Sequence, residues 1–142
     1  MPLRLVLDTN VWLDWLVFED PGLAALKSAV STGHAEIVID DACEEELIRV
    51  LAYPLQKWTL DSAAQARCLA HCRSLTCQVE IRSVTGLPRC TDTDDQKFID
   101  LAAGVDAGWL LTKDRALLAL DRHRTPLPFR IVTPADFAST QA

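Results

Sequence analysis

Residues 3–16 read LRLVLDTNVWLDWL. Leu3 to Leu7 is a short apolar run interrupted only by Arg4, the pattern of a strand buried on both faces. Asp8 ends the run, and Asn10 is placed to cap a helix that carries Val11, Trp12, Trp15 and Leu16. A buried strand that passes through an acid straight into a helix is the opening unit of an α/β fold.

The rest of the chain repeats that unit. Pro21-Gly22 breaks the first helix, and a second runs from about Leu23 to Thr32 until Gly33 stops it. Ile37 to Ile39 reads as a strand, and Asp40-Asp41 opens a third helix that ends before Pro54. A fourth helix is expected from about Asp61 to Thr76, then a polar loop with Gly86 and Pro88, then a fifth helix behind an aspartate cluster. Trp109 to Leu111 is a strand, Asp114 to Leu120 a short helix, and Phe129 to Val132 a last strand before Pro134. Strands alternating with helices pair in parallel through right-handed crossovers. The expected architecture is a three-layer α/β/α sandwich with a central, mainly parallel sheet. In such sheets ligands bind beyond the carboxyl ends of the strands.

A chain of 142 residues without a repeat, a low-complexity tract or an interior linker is expected to be one domain, 1–142. No apolar run reaches the roughly 18 residues of a membrane-spanning helix. The first ten residues lack a long apolar core, so they do not read as a secretory signal, and a cytoplasmic location is the default. Five cysteines make an odd count, which argues against a disulfide framework in that setting. Cys68, His71, Cys72 and Cys77 lie close in sequence, but no C-x-x-C pair supports zinc, and Cys68 and Cys72 share a helix face at i, i+4. Helix packing is the better reading of those thiols. The net charge of −6 repels nucleic acid at long range, yet carboxylates that hold metal ions count in that total while the ion reverses the local field.

The acids are placed where chemistry is expected. Asp8 follows the first strand, and Asp114 follows the strand whose tip carries Thr112. If those strands are neighbours, both carboxylates face one edge of the sheet, although each also suits a helix N-cap worth about 1 kcal/mol. The third helix has an apolar stripe at Cys43, Leu47, Val50 and Leu51. Glu45 points away from that stripe and Glu44 and Glu46 flank it, so periodicity does not choose between those two. The fifth helix has its stripe at Phe98, Leu101, Ala102 and Val105; Asp94 and Asp95 fall toward it, and Asp92 is placed to cap the backbone N–H of Asp95. Two carboxylates about 5 Å apart at an effective dielectric near 20 repel by roughly 3 kcal/mol, so four converging acids need protons or cations. An oxygen-only ligand set suits Mg²⁺ or Mn²⁺. One or two such ions activate water and stabilise the leaving oxygen of a phosphodiester.

The order VLDTNVW, EEELIRVLAYP, DTDDQKFIDLA, WLLTKDRALL and RIVTPADF resembles the PIN domain, from about Leu3 to Phe137. It looks most like the bacterial branch of toxin components of toxin–antitoxin systems, related to VapC-type toxins. The resemblance implies a Mg²⁺- or Mn²⁺-dependent endoribonuclease that hydrolyses RNA in line, leaving 5′-phosphate and 3′-hydroxyl ends, as a homodimer restrained by an antitoxin protein. By motif, Asp8, Glu46, Asp95 and Asp114 match the catalytic acids and, with Asp92, the metal ligands. Asn10 and Thr112 match supporting polar residues, and Asp94 falls at a variable position. Many relatives have a small residue where Lys113 stands. Lys113 and Arg115, with Lys57 and Lys97, are candidate phosphate contacts.

Two rivals stand beside this reading. An α/β phosphohydrolase with an aspartate nucleophile typically shows D-x-D after the first strand, and this chain has Asp8-Thr9-Asn10. A PIN-like module that binds RNA or protein without cutting is the other, and the intact acids speak against it.

Overall fold

The computed structural model describes residues 2–81, 84, 86–122 and 127–141. It contains β1 (Leu3–Leu7), α1 (Thr9–Leu16), α2 (Ala24–Ser31), β2 (Ala35–Ile39), α3 (Asp41–Leu51), α4 (Ser62–Leu75), β3 (Thr76–Gln78), α5 (Gln96–Gly104), β4 (Trp109–Leu111), α6 (Arg115–Ala119), β5 (Arg130–Val132) and α7 (Pro134–Thr140). Short 3₁₀ turns precede α2 and α5 and follow α6. The five strands form one parallel sheet in the order β3-β2-β1-β4-β5.

The opening strand lies at the centre of that sheet. Leu5 pairs with Ile37 of β2 on one side and with Trp109 of β4 on the other. Leu5, Val6 and Leu7 are buried, as are Ile37 to Ile39 and Leu110 to Leu111, which accounts for their continuous apolar runs. Helices α1, α3, α4 and α5 pack against one another, while α2 packs against α7 and β2, so both faces of the sheet are covered. Gly33 turns the chain into β2 with a φ of +78°, a backbone that L side chains rarely adopt. Among the described residues no helix is long and apolar enough to cross a membrane.

Two elements differ from the sequence expectation. Thr76 is extended rather than helical and begins β3, a three-residue edge strand with Cys77 and Gln78 exposed. Such a strand has no buried run to announce it, and a short edge strand resists pairing with other chains. Pro134 opens α7 rather than merely ending β5, because proline fits the first helical turn and Thr133 Oγ1 accepts the Asp136 N–H at 3.1 Å. In α4, Cys72 is buried in the core, the Cys68 thiol donates to the Leu16 carbonyl at 3.7 Å, and His71 is exposed.

Candidate metal centre

The chain runs from β1 to β2 and β3 on one side and from β4 to β5 on the other, so β1 and β4 flank the point where strand order reverses. Crevices form at the carboxyl ends of strands at such a point. The Asp8 N–H continues the ladder there by donating to the Leu111 carbonyl at 2.9 Å. Asp8 itself is 5% exposed. Its Oδ1 accepts the Thr9 N–H at 2.7 Å, and Oδ2 accepts the Thr112 hydroxyl at 2.7 Å and the Asn10 amide at 3.3 Å. Asp8, not Asn10, is therefore the N-cap of α1, and Asn10 lies inside the helix. Asn10 instead links Asp8 to the next loop, since its Oδ1 accepts the Lys113 N–H at 3.3 Å.

Thr112 is fully buried and touches two acids. Its hydroxyl donates to Asp8 and accepts the Asp114 N–H at 2.9 Å. Asp114 Oδ1 caps α6 by accepting the Ala116 N–H at 2.8 Å. Capping and convergence thus coexist at both strand tips.

The ambiguity on α3 resolves by partner. Glu44 is buried and held by Arg73 of α4, with Oε1 to Nη2 at 2.7 Å and Oε2 to Nε at 3.3 Å. Glu45 is exposed. Glu46 turns toward the strand tips, where Oε2 accepts the Thr9 hydroxyl and Oε1 accepts Lys97 Nζ at 2.8 Å.

The aspartate cluster separates in a similar way. Thr93–Asp95 is a 3₁₀ turn, so α-helical phasing does not extend back through it. Asp94 is consequently exposed rather than leaning toward the core, whereas Asp95 is half-buried. Asp92 Oδ1 accepts the Asp94 N–H at 2.9 Å, not that of Asp95, whose N–H donates to the Asp92 carbonyl at 3.1 Å. Gln96 fixes the approach of this segment from within the core. Its Oε1 accepts the Cys90 N–H at 2.8 Å, and its Nε2 donates to the Pro88 carbonyl and to Asp100, each at 3.2 Å.

The electrostatics record the convergence. Burial, then the charges of Asp8, Asp114 and Asp92, and a side-chain hydrogen bond with Asp114 push the Asp95 carboxyl up to about 7. Burial also raises Asp8; the Thr112 and Thr9 hydrogen bonds oppose it, and the charges of Glu46 and Asp114 add to it. Among the described residues, no three acid, thiol or imidazole groups form a ready-made cage for an ion. The acids lie within electrostatic reach of one another, but Asp8 and Glu46 each have both carboxylate oxygens engaged by protein donors.

The basic residues are placed unevenly. Lys113 Nζ pairs with Asp14 Oδ2 at 2.6 Å, Arg115 is exposed beside Asp114 at the start of α6, and Lys57 is exposed. Sequence reasoning missed Thr9, Asp14 and Gln96, whose roles depend on contacts across the fold and carry no spacing signal. It had Lys97 only as a phosphate contact.

The PIN domain family profile matches residues 4–116, from β1 through the start of α6. The chain belongs to the PIN domain family. No curated protein matches the chain. PIN domains are generally nucleases that use divalent metal ions. The donor chemistry here fits such an ion: the converging groups offer oxygen only, and after burial it is the neighbouring charges of Asp8, Asp114 and Asp92 that push the Asp95 carboxyl up.

Proposed function

We propose that this PIN domain is a Mg²⁺- or Mn²⁺-dependent endoribonuclease, the toxin component of a type II toxin–antitoxin system. The nuclease part is carried by one observation: Asp8, Asp95 and Asp114 share one electrostatic neighbourhood at the carboxyl ends of β1 and β4, with Glu46 beside Asp8. Asp8, Glu46, Asp95 and Asp114 would hold the ion, with Asp92 at the rim. When bound, a divalent ion supplies Lewis acidity toward a phosphodiester and lowers the pKa of water there. The chain's own groups set the stage for that chemistry. Thr112, Thr9 and Asn10 fix the Asp8 carboxylate, which keeps the site organised before substrate arrives. Before the ion binds, burial and the neighbouring acids push the Asp95 carboxyl up to about 7, so binding the ion at neutral pH would release a proton from it. Arg115 is exposed to meet RNA phosphate, and Lys113 would have to leave Asp14 to do so.

The toxin assignment rests on the order of sequence motifs, as do a homodimer and a cognate antitoxin, while a cytoplasmic location is proposed as the default for a sequence without a signal-like apolar run. The test has two parts. Purified protein with Mn²⁺ should cut single-stranded RNA to 5′-phosphate ends, and Asp8→Asn should abolish cutting. Expression should arrest growth, with rescue by a small neighbouring gene and no arrest by Asp8→Ala. Loss of the first result removes the nuclease reading; loss of the second alone removes the toxin reading.

A second reading, an RNA- or protein-binding module without catalysis, is favoured by the engagement of Glu46 with Thr9 and Lys97. It predicts RNA binding that is indifferent to Mn²⁺.

A further inference from the structure

Five ion pairs are formed among the described residues, and four of them join acids outside the candidate centre: Arg4–Glu36, Arg73–Glu44, Lys113–Asp14 and Arg130–Asp121. The fifth is Lys97–Glu46 at 2.8 Å, with side chains 20% and 12% exposed. It bridges α5 and α3, whose packing also brings the Cys43 thiol to 3.9 Å from the Lys97 carbonyl. The ammonium is therefore delivered to Glu46 by helix packing and is partly withdrawn from water, where a charge pair is less screened.

Building on the nuclease reading, we propose that Lys97 is a displaceable counter-ion: it competes with the divalent ion for Glu46 and transfers to the RNA phosphate once that ion is in place. Glu46 presents two oxygens, one taken by Thr9 and the other by Lys97. Each of those oxygens keeps a second lone pair, so an incoming ion that uses Glu46 can share an oxygen with the hydroxyl, whereas the ammonium beside it repels the ion. Lysine suits the exchange because its ammonium is a point charge on a flexible four-carbon stem, without the fixed fork that would lock an arginine onto a carboxylate. The Lys97 side chain, already 20% exposed, stays on α5 beside the acids, where its freed ammonium can meet an arriving phosphodiester. Substrate phosphate thereby replaces Glu46 as its partner, so RNA and metal assist each other's binding.

The test separates metal affinity from catalysis. Mn²⁺ binding is measured by calorimetry on the RNA-free protein, and binding of a single-stranded RNA oligonucleotide is measured in Ca²⁺. Removing one positive charge beside a dication should tighten Mn²⁺ binding by about tenfold in Lys97→Met and Lys97→Gln, even with water-like screening. The same variants should bind RNA about tenfold more weakly, while Lys97→Arg, which keeps the charge and adds the fork, should bind Mn²⁺ no more tightly than wild type. Lys97→Gln and Lys97→Arg keep the test readable if Lys97→Met folds poorly. Unchanged or weaker Mn²⁺ binding in the neutral variants overturns the competition, and unchanged RNA binding overturns the transfer. If the wild-type protein binds no Mn²⁺, the nuclease reading itself fails, a result distinct from either of these.

Discussion

The Thr112 hydroxyl donates to Asp8 Oδ2 at 2.7 Å, joining the tips of β1 and β4. Because Asp8 is buried and burial works against its charge, this bond is part of what keeps the carboxylate ionised. Thr112→Val keeps the shape and removes the donor. It should cost about 1.5–3 kcal/mol in urea unfolding at pH 7, the range for hydrogen bonds to charged groups. Thr112→Ser should recover most of that loss; equal damage from both variants would move the effect from the hydroxyl to the methyl group.

Activity should divide the acids. Asp8→Asn, Glu46→Gln and Asp114→Asn are expected to lower Mn²⁺-dependent RNA cleavage by about 100-fold or more, as loss of one electrostatic partner of a transition state does. Circular dichroism should show each variant folded. Retention of cleavage by all three would place the chemistry elsewhere.

Glu44 provides the contrast. It sits two residues from Glu46 but is clamped by Arg73 rather than aimed at the strand tips. Glu44→Gln should lose about 1–2 kcal/mol of stability, a modest value because the Arg73 side chain is 59% exposed. Its Mn²⁺ affinity and RNA cleavage should stay within about twofold of wild type, since the clamp faces α4.

Asp95 should leave a signature in the pH dependence of stability. Its carboxyl titrates near 7 in the folded protein, above the ordinary 3.8 of the unfolded chain. Between about pH 4 and 7 the folded state therefore holds a proton that the unfolded state has released, and stability falls as pH rises through that window. The contribution is fully present below pH 4 and lost above 7. Asp95→Asn removes this dependence, so thermal melts without added metal should show the variant gaining a few degrees over wild type at pH 8 and nothing at pH 4. A difference that is constant with pH would contradict the raised pKa.

Legibility in the sequence followed the range of each interaction. β1, β2 and β4 were readable because burial on both faces writes itself as an unbroken apolar run, and Asp8 and Asp114 were readable as acids at strand tips. β3 was not, since Thr76-Cys77-Gln78 gains its strand character from pairing with Ile37 to Ile39 rather than from its own residues. Periodicity placed Glu44 and Glu46 on the flanks of one stripe, but the side each faces is set by Arg73, Thr9 and Lys97 on other elements. The misplaced Asp94 has a local cause: the turn before α5 is wound as a 3₁₀ helix, which shifts the angular phase of the residues in it. Lys97 meets Glu46 across 51 positions of sequence, beyond the reach of any local pattern.

The β1–β4 pairing has a consequence for timing. Asp8 and Thr112 are 104 residues apart, and the bond between them waits for Leu111 to dock beside Leu7. During synthesis the first three strands can emerge and assemble while Asp95 and Asp114 are still unmade or inside the ribosome. Asp114 joins the other acids only when the fourth strand closes against the first. A partly made chain thus carries no assembled centre, and whatever this site does to RNA begins after the ribosome has passed the last acid.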